Sequence, residues 1–497
     1  MRSSINGLVP EPERVAELSD REWGRFWRER PRSVELRRRG LKSMPNGIPM
    51  SWFVNLYHQN PLYVAEGEGA HIVDVDGHRY LDTNVGDVST FCGYAPPAVT
   101  EAIAARAARG VQFTLPVEES LWVAEEMGRR FGLPRWQFTL SATTANIEAI
   151  RLARFVTGRP VVVMFEGHYH GHDEEWLFDR EEGDVRAQFL GVDRAGQRSV
   201  RLIPFNDPAA LGEALEPGDV ACVVTEPVLT NLGVIQPEPG FHDELRRQTR
   251  AAGTLLLLDE THTAMCAPGG LTQAWSLEPD LITLGKFIGG GIPIGTYGMS
   301  AELSDVFESP DPEDPHQEIA SGGTLFANTL SMAATRATLS EIMTAEAYAH
   351  AAQLGTLLAE GIERISRAAG FSWSAHRLYA RSGYTYTDRL PRNAAEYYEH
   401  ANADLDLLKR VYFANRGVWE ANVWAGPAVS VAAADEDIEH YLSVLEEFVG
   451  ELAARDECMD TGIVHTLPCR ILATHLRRSE LCHLQPGGPL ALIHRSA

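Results

Sequence analysis

Between about Ala98 and Met343, helix-sized segments alternate with short, uninterrupted apolar runs: WQFTL (136–140), VVVMF (161–165), ACVVTEP (221–227), TLLLLD (254–259) and DLITLG (280–285). Runs of this length predict strands buried on both faces of a mainly parallel sheet, an α/β fold. Ligands of such sheets lie beyond the carboxyl ends of the strands, so the residues that close these runs are the first candidates for chemistry. Upstream, AHIVDVDGHRYLD (70–82) alternates apolar and polar positions around Asp76 and Gly77, which predicts a hairpin. Downstream of about Ala345, an amphipathic helix, two short β-like stretches and the helix DEDIEHYLSVLEEFVGELAA (435–454) predict a smaller α+β domain. The expected division is an N-terminal arm (1–69), a hairpin belonging to the small domain (70–97), a large domain (98–343), a C-terminal small domain (344–454) and a tail without assigned structure (455–497). Within the arm, Trp23 and Phe26 are spaced as on one face of a short helix.

The chain has 497 residues, 44% hydrophobic and 23% charged, a globular composition with room for a buried site. A formal charge of −24 opposes adhesion to nucleic acid or anionic membrane, although Arg28 to Arg39 forms a local basic run. No stretch approaches the roughly 18 apolar residues of a membrane span, and the start lacks a secretory signal's apolar core. Cys92, Cys222 and Cys266 fall in or beside apolar segments, as buried reduced thiols do. These features predict a cytoplasmic protein. In the tail, Cys458, Cys469 and Cys482 do not match zinc spacing.

Among 44 basic residues only Lys42, Lys286 and Lys409 are lysines. Lys42 lies in the basic arm and Lys409 is expected on the polar side of a helix. Lys286, in LITLGKFIGGGIPIG, follows a buried strand and has Leu284, Phe287 and Ile288 around it. Desolvation there favours the free amine that Schiff-base chemistry needs. Asp259 closes TLLLLD 27 residues earlier, either as a helix cap or as a carboxylate facing the ligand crevice. LLLLDETH also looks like the magnesium-binding strand of a nucleoside triphosphatase, but that chemistry needs a phosphate loop, and Gly285-Lys286 is followed by Phe287.

SATTANIEAIRLARFVTG (141–158) places Ala145, Ala149, Leu152, Ala153 and Val156 on one helical face. Its N-terminus then offers free amides and the helix dipole to an anion, with the Thr143 hydroxyl beside them; capping by Ser141 or Thr143 is the simpler alternative. EGHYHGHDEE (166–175) gathers His168, His170 and His172. Alternate histidines in a loop do not all converge, so no metal is expected. Tyr169 stacked on a flat cofactor is the better reading, with the histidines as orienting or gating groups.

Together these residues resemble the class III aminotransferases of pyridoxal phosphate (PLP) fold type I, and within them the glutamate-1-semialdehyde aminomutase-like group, over roughly Met44 to Glu447. MPNGIP (44–49), DVDGHRYLD (74–82), SATTAN, HYHGH, TEPV (225–228), DETH (259–262), LGKFIGGGIPIG and GGTLFANTLSMAAT (322–335) follow the family's order and spacing. The resemblance implies a large domain with a mainly parallel sheet of the seven-stranded type. It also implies that Lys286 forms the Schiff base with PLP, that Asp259 pairs with the pyridine nitrogen and that Tyr169 covers one ring face. Ala142 and Thr143 would bind phosphate, joined by Thr324 from the second subunit of a homodimer. Thr261 would face the other side of the ring, His262 would reach the ring hydroxyl, and Glu226 would face the substrate. Ala142 departs from the family's glycine, Thr144 from its glutamate, and THT from its Val-Gln-Thr, which leaves the substrate open. Arg377 and Arg381, in a β-like stretch, could grip a substrate carboxylate. The implied activity is an aminotransferase acting between an amino acid or amine and a carbonyl acceptor. An aminomutase, a racemase or epimerase, and a non-catalytic PLP-binding scaffold are the alternatives.

Overall fold

The computed structural model describes residues 8–53, 62–181, 184–193, 196–308, 319–421 and 426–454. The tail from 455, with its three cysteines, lies outside the described residues. Seven strands form the central sheet in the order Arg135–Thr139, Gly295–Met299, Leu281–Gly285, Leu255–Asp259, Val220–Thr225, Val161–Phe165, Val200–Ile203. Leu281–Gly285, Leu255–Asp259, Val220–Thr225, Val161–Phe165 and Val200–Ile203 run parallel, while Gly295–Met299 is antiparallel to both its neighbours.

The apolar runs are continuous because successive residues serve opposite faces of a covered sheet. Val162, Met164, Cys222, Val224 and Leu257 pack with Ala145, Ala149, Leu152 and Ala153 of the helix Ala142–Thr157. On the other face Val161, Val163, Phe165, Val223, Leu256 and Leu258 pack with Leu211 and Leu245 of the helices Pro208–Leu215 and Phe241–Ala252. Each of the five expected runs coincides with a strand to within two residues.

The strand Gly295–Met299 carries no hydrophobic run that would announce it. Its glycines are required by close packing: a Cβ on Gly295 would lie 2.0 Å from the Ser141 carbonyl oxygen, and one on Gly298 would lie 2.6 Å from the Trp136 ring. The strand Val200–Ile203 also went without a sequence signal, being four residues long with an arginine inside it.

A second sheet draws together segments far apart in the sequence. Val64–Glu68, His71–Asp74, Arg79–Asp82 and Val418–Trp419 make a four-stranded sheet, and the last pair is parallel. The turn between His71–Asp74 and Arg79–Asp82 holds Asp76 and Gly77, with Gly77 at φ 92°. The segment expected to be an arm is instead part of this core: Val15, Leu18 and Phe26 of the helix Pro12–Glu29 pack with Leu405, Tyr412, Leu445 and Phe448. The basic run is likewise partly interior. Arg30 is buried and donates to the Tyr80 hydroxyl (2.7 Å), Asn415 Oδ1 (3.1 Å) and the Ala414 carbonyl (3.1 Å).

Lys409 departs from expectation in the same way. It is buried, ion-paired with Glu420 at 2.9 Å and set over the Tyr384 ring at 4.4 Å. Burial alone would lower its pKa, but the Glu420 carboxylate overrides that and pushes it up. Its amine is therefore held as ammonium, while Lys42 is exposed on the surface. Cys92, Cys222 and Cys266 are buried free thiols.

Candidate active site

The carboxyl ends of Leu255–Asp259 and Leu281–Gly285 are adjacent and in register, with Asp259 beside Thr283. Glu260 and Asp259 leave this strand end in different directions. Glu260 turns into the protein and accepts from Thr263, Leu271, Thr272 and the Thr272 hydroxyl, so it braces the turn that follows. Asp259 is buried and accepts from His170 Nδ1 (2.9 Å), Asn146 Nδ2 (2.9 Å), the Thr261 amide (3.0 Å) and the Thr261 hydroxyl (2.5 Å). Burial acts to raise its pKa, but the His170 bond and charge, followed by the Thr261 and Asn146 bonds, outweigh it and hold the carboxyl down to about 2.

Asn146 is fixed in turn by Thr283, whose hydroxyl donates to Asn146 Oδ1 at 2.6 Å, and it also donates to the His170 carbonyl at 2.8 Å. A buried carboxylate held in place by these donors is suited to a protonated aromatic nitrogen.

Lys286 starts a short turn directly after its strand, with φ 56°, a left-handed conformation for a non-glycine residue. Its Nζ lies 2.7 Å from Asp87 Oδ2 and 2.7 Å from His262 Nε2. His262 Nδ1 faces Arg381 Nη1 at 2.8 Å, and Arg381 Nη2 donates to the Thr230 carbonyl at 3.3 Å. Burial, then the charges of Lys286 and Arg381, push His262 well below its usual range, so the ring is neutral. Asp87 would be raised by burial, but Lys286 above all holds its carboxyl well below the usual range.

The helix Ala142–Thr157 begins beside this cluster. Ser141 and Thr144 form a capping box: Ser141 Oγ accepts from the Thr144 amide (3.2 Å) and Thr144 Oγ1 from the Ser141 amide (3.1 Å). Ala142 and Thr143 lie in the first turn, whose amides have no intrahelical acceptor. A Cβ on Gly285 would sit 2.9 Å from the Ala142 nitrogen, so glycine lets the strand carrying Lys286 run against this helix end. The Thr143 hydroxyl accepts from the His172 amide at 3.3 Å and packs against Gly171.

The other expected site residues fall in three places. Tyr169 is 46% exposed at the edge of the cluster, and partial burial, with the charge of Asp87 added, raises its phenol pKa. Thr261 spends its hydroxyl on Asp259. Glu226 is buried and accepts from the Thr230 amide (3.0 Å), the Thr230 hydroxyl and Asn231 Nδ2 (3.4 Å), so it shapes the loop whose Thr230 carbonyl receives Arg381. Thr324 is exposed on this chain, its carbonyl accepting from Gln112.

Of the two arginines, only Arg381 joins Lys286. Arg377 points away on the same hairpin, half exposed and paired with Glu363 at 3.1 Å. They stand on the two paired strands, where Arg381 lies opposite Leu378 and Arg377 opposite Ser382, so the register puts them on opposite faces of the hairpin. The three loop histidines also diverge: His168 lies between the Phe165 and Trp176 carbonyls, His170 meets Asp259, and His172 is exposed. Among the described residues no cluster of three or more potential metal ligands occurs.

Asp87 and Asn146 were not singled out from the sequence. Asn146 had a readable signal, a polar residue on the helix face that buries Ala145 and Ala149. Asp87 had none, because its position depends on an irregular loop.

Beside Arg381, His376 is buried, and among the described residues neither of its ring nitrogens has a hydrogen-bond partner. Burial, then the Arg381 charge, push it down to about 3. Unfolded, it takes up a proton near its ordinary pKa of about 6.5. The unfolded state is therefore favoured progressively as pH falls from about 6.5 towards 3, and the full stability is present above that window. His376→Leu is expected to flatten this part of a plot of Tm against pH.

Comparison with known proteins gives a consistent result. The sequence model of the aminotransferase class-III family matches residues 53–372. Glutamate-1-semialdehyde 2,1-aminomutase of Chloroflexus aggregans is 33% identical over 406 residues, covering 79% of this chain and 91% of that protein. A crystal structure of a glutamate-1-semialdehyde aminomutase from Pseudomonas aeruginosa superposes with a TM-score of 0.86 at 38% identity, covering 90% of this chain and 100% of that one; a variant of it has been solved in complex with PMP. An omega-transaminase from Sphaerobacter thermophilus superposes with a TM-score of 0.77 at 29% identity, covering 85% of this chain and 98% of that one.

Proposed function

Because the chain belongs to the class III aminotransferases, enzymes of PLP fold type I, we propose that it moves an amino group between an amine or amino acid and a carbonyl acceptor, with Lys286 as the cofactor lysine. The observation that carries this reading is that Lys286 and the buried, ionised Asp259 stand at the ends of adjacent strands, next to a helix N-terminus. When bound, pyridoxal phosphate supplies an electron-accepting ring that stabilises negative charge on the substrate carbon.

The residues present fit that group. Asp259 would hold the pyridine nitrogen, with His170 and Asn146 fixing the carboxylate. The Ala142 and Thr143 amides and the Thr143 hydroxyl would receive the phosphate. Tyr169 and Thr261 would flank the ring, and His262 would reach its hydroxyl. Lys286 would bind the cofactor carbonyl carbon and, once displaced by the substrate amine, take and return the proton of the substrate carbon. We further propose a homodimer, in which the exposed Thr324 segment reaches the phosphate of the other subunit. Among the described residues no helix is long and apolar enough to cross a membrane.

A second reading, aminomutase, is favoured by the names of the relatives. The two separate in one experiment. Purified holoenzyme is mixed with a panel of amino donors without acceptor, following the cofactor's visible absorbance and the released product. A transaminase converts its cofactor to the amine form and releases one carbonyl product per site. An aminomutase returns an isomer of the substrate, and conversion of no donor would count against the transaminase.

A further inference from the structure

The loop that presents Asp87 follows the strand Arg79–Asp82. Val85, Gly86, Asp87 and Val88 have φ of 51°, 55°, 54° and 70°, four successive residues in the left-handed region. Two of them are valines, for which that conformation is a marked outlier. Buried Asp82 holds the turn, accepting from the amides of Asn84 (2.8 Å), Val85 (3.0 Å) and Gly86 (3.0 Å) and from the Tyr94 hydroxyl (2.5 Å). Backbone strain of this kind persists only where its surroundings over-determine it, and it collects at functional sites. Here it delivers one carboxylate to the amine of Lys286.

The opposite side of that amine is also specified. Arg381 is only a donor, and a neutral His262 that accepts from it at Nδ1 carries its proton on Nε2. That N–H is aimed at Lys286 Nζ, 2.7 Å away, which favours the form of the amine with a free lone pair. Asp87 favours the form with the extra proton. The other charged or titratable groups facing this set are Asp259, near His262, Tyr169, near Asp87, and Glu226, Cys266 and His376, near Arg381.

We propose that Asp87 is a catalytic proton-handling residue that receives, as an ion pair, the ammonium Lys286 becomes on taking a proton from the substrate carbon, while Arg381 acts through His262 as a positioning residue favouring the neutral amine. In that step the substrate C–H bond breaks and its electron pair stays on the substrate. The proton forms a new bond with the Nζ lone pair, and the reverse transfer restores the amine. The proposal rests on Lys286 being the cofactor lysine. It does not depend on whether the overall reaction is transamination or an isomerisation.

The test uses full-length protein loaded with pyridoxamine phosphate, in which Lys286 is free. Amines are labelled with trace acetic anhydride over a pH series, and the Lys286 and Lys42 peptides are quantified by mass spectrometry. Asparagine tolerates the left-handed region, so Asp87→Asn preserves the loop. At a fixed pH on the rising part of the curve, Lys286 is expected to acylate about tenfold faster in Asp87→Asn. Arg381→Met is expected to slow it by a similar factor, with Lys42 unchanged in both. Lys286 labelling that does not respond to Asp87→Asn would overturn the proposal even if activity fell, because a loop residue of purely structural value lowers activity without moving this curve. Should Asp87→Asn not fold, an Arg381→Met curve that stays put or moves the other way overturns it. If Lys286 instead labels freely in the pyridoxal form with its visible band intact, the cofactor-lysine reading fails on its own.

Discussion

Lys286→Ala is expected to abolish turnover and remove the visible absorbance of lysine-bound cofactor, while leaving the fold intact. The side chain is partly exposed, at 22%, so its truncation costs little packing. Loss of a positioned proton-transfer group alone costs on the order of 10² to 10⁴ in rate, and the covalent attachment is lost as well. Neither remaining lysine can substitute: Lys409 is buried against Glu420 and Lys42 is exposed in the N-terminal segment. Stopped assays for activity, absorbance spectra and a thermal melt separate these effects. A variant that keeps activity within tenfold would remove Lys286 from the mechanism.

The second large effect is expected at Asp259. Asp259→Asn keeps the shape and several hydrogen bonds but removes a charge that four hydrogen bonds hold against burial. Loss of a preorganised electrostatic partner of this kind costs roughly 10² to 10³ in kcat. Because the carboxyl is held down to about 2, the wild-type enzyme should show no acid limb from this group anywhere above about pH 4. The contrast with Asn146→Ala is informative, since that change leaves the charge and removes one donor. A smaller loss in Asn146→Ala than in Asp259→Asn is the expected order, read from kcat under saturating substrate.

Much of this arrangement could be read from the chain because it lies at the ends of regular elements. TLLLLD and DLITLG announced two buried strands, and the polar residues that close or follow them, Asp259 and Lys286, arrive together because the strands are neighbours in register. The N-terminus of the helix Ala142–Thr157 was legible for the same reason. The glycine-rich strand Gly295–Met299 was not, since its residues were chosen by close backbone contact with Ser141 and Trp136 rather than by hydrophobic periodicity. The N-terminal helix looked detached because its apolar face is narrow and its partners, Tyr412 and Phe448 among them, lie some 400 residues away.

Arg381 and Arg377 show the same limit at the scale of a side chain. The sequence placed both in a β-like stretch, and the register of the two paired strands there sends one into the site and the other to Glu363. Asp87 is the extreme case. It reaches Lys286 through four left-handed residues clamped by Asp82, a conformation that no propensity favours.

Lys286 as the carrier of pyridoxal phosphate can be tested directly. Borohydride reduction of the holoenzyme fixes the cofactor to whichever lysine bears it, and peptide mass spectrometry then has only three lysines to distinguish. The phosphopyridoxyl mass is expected on the Lys286 peptide at about one per chain, with Lys42 and Lys409 unmodified. Stoichiometric label on either of those two, or none on Lys286, would contradict it.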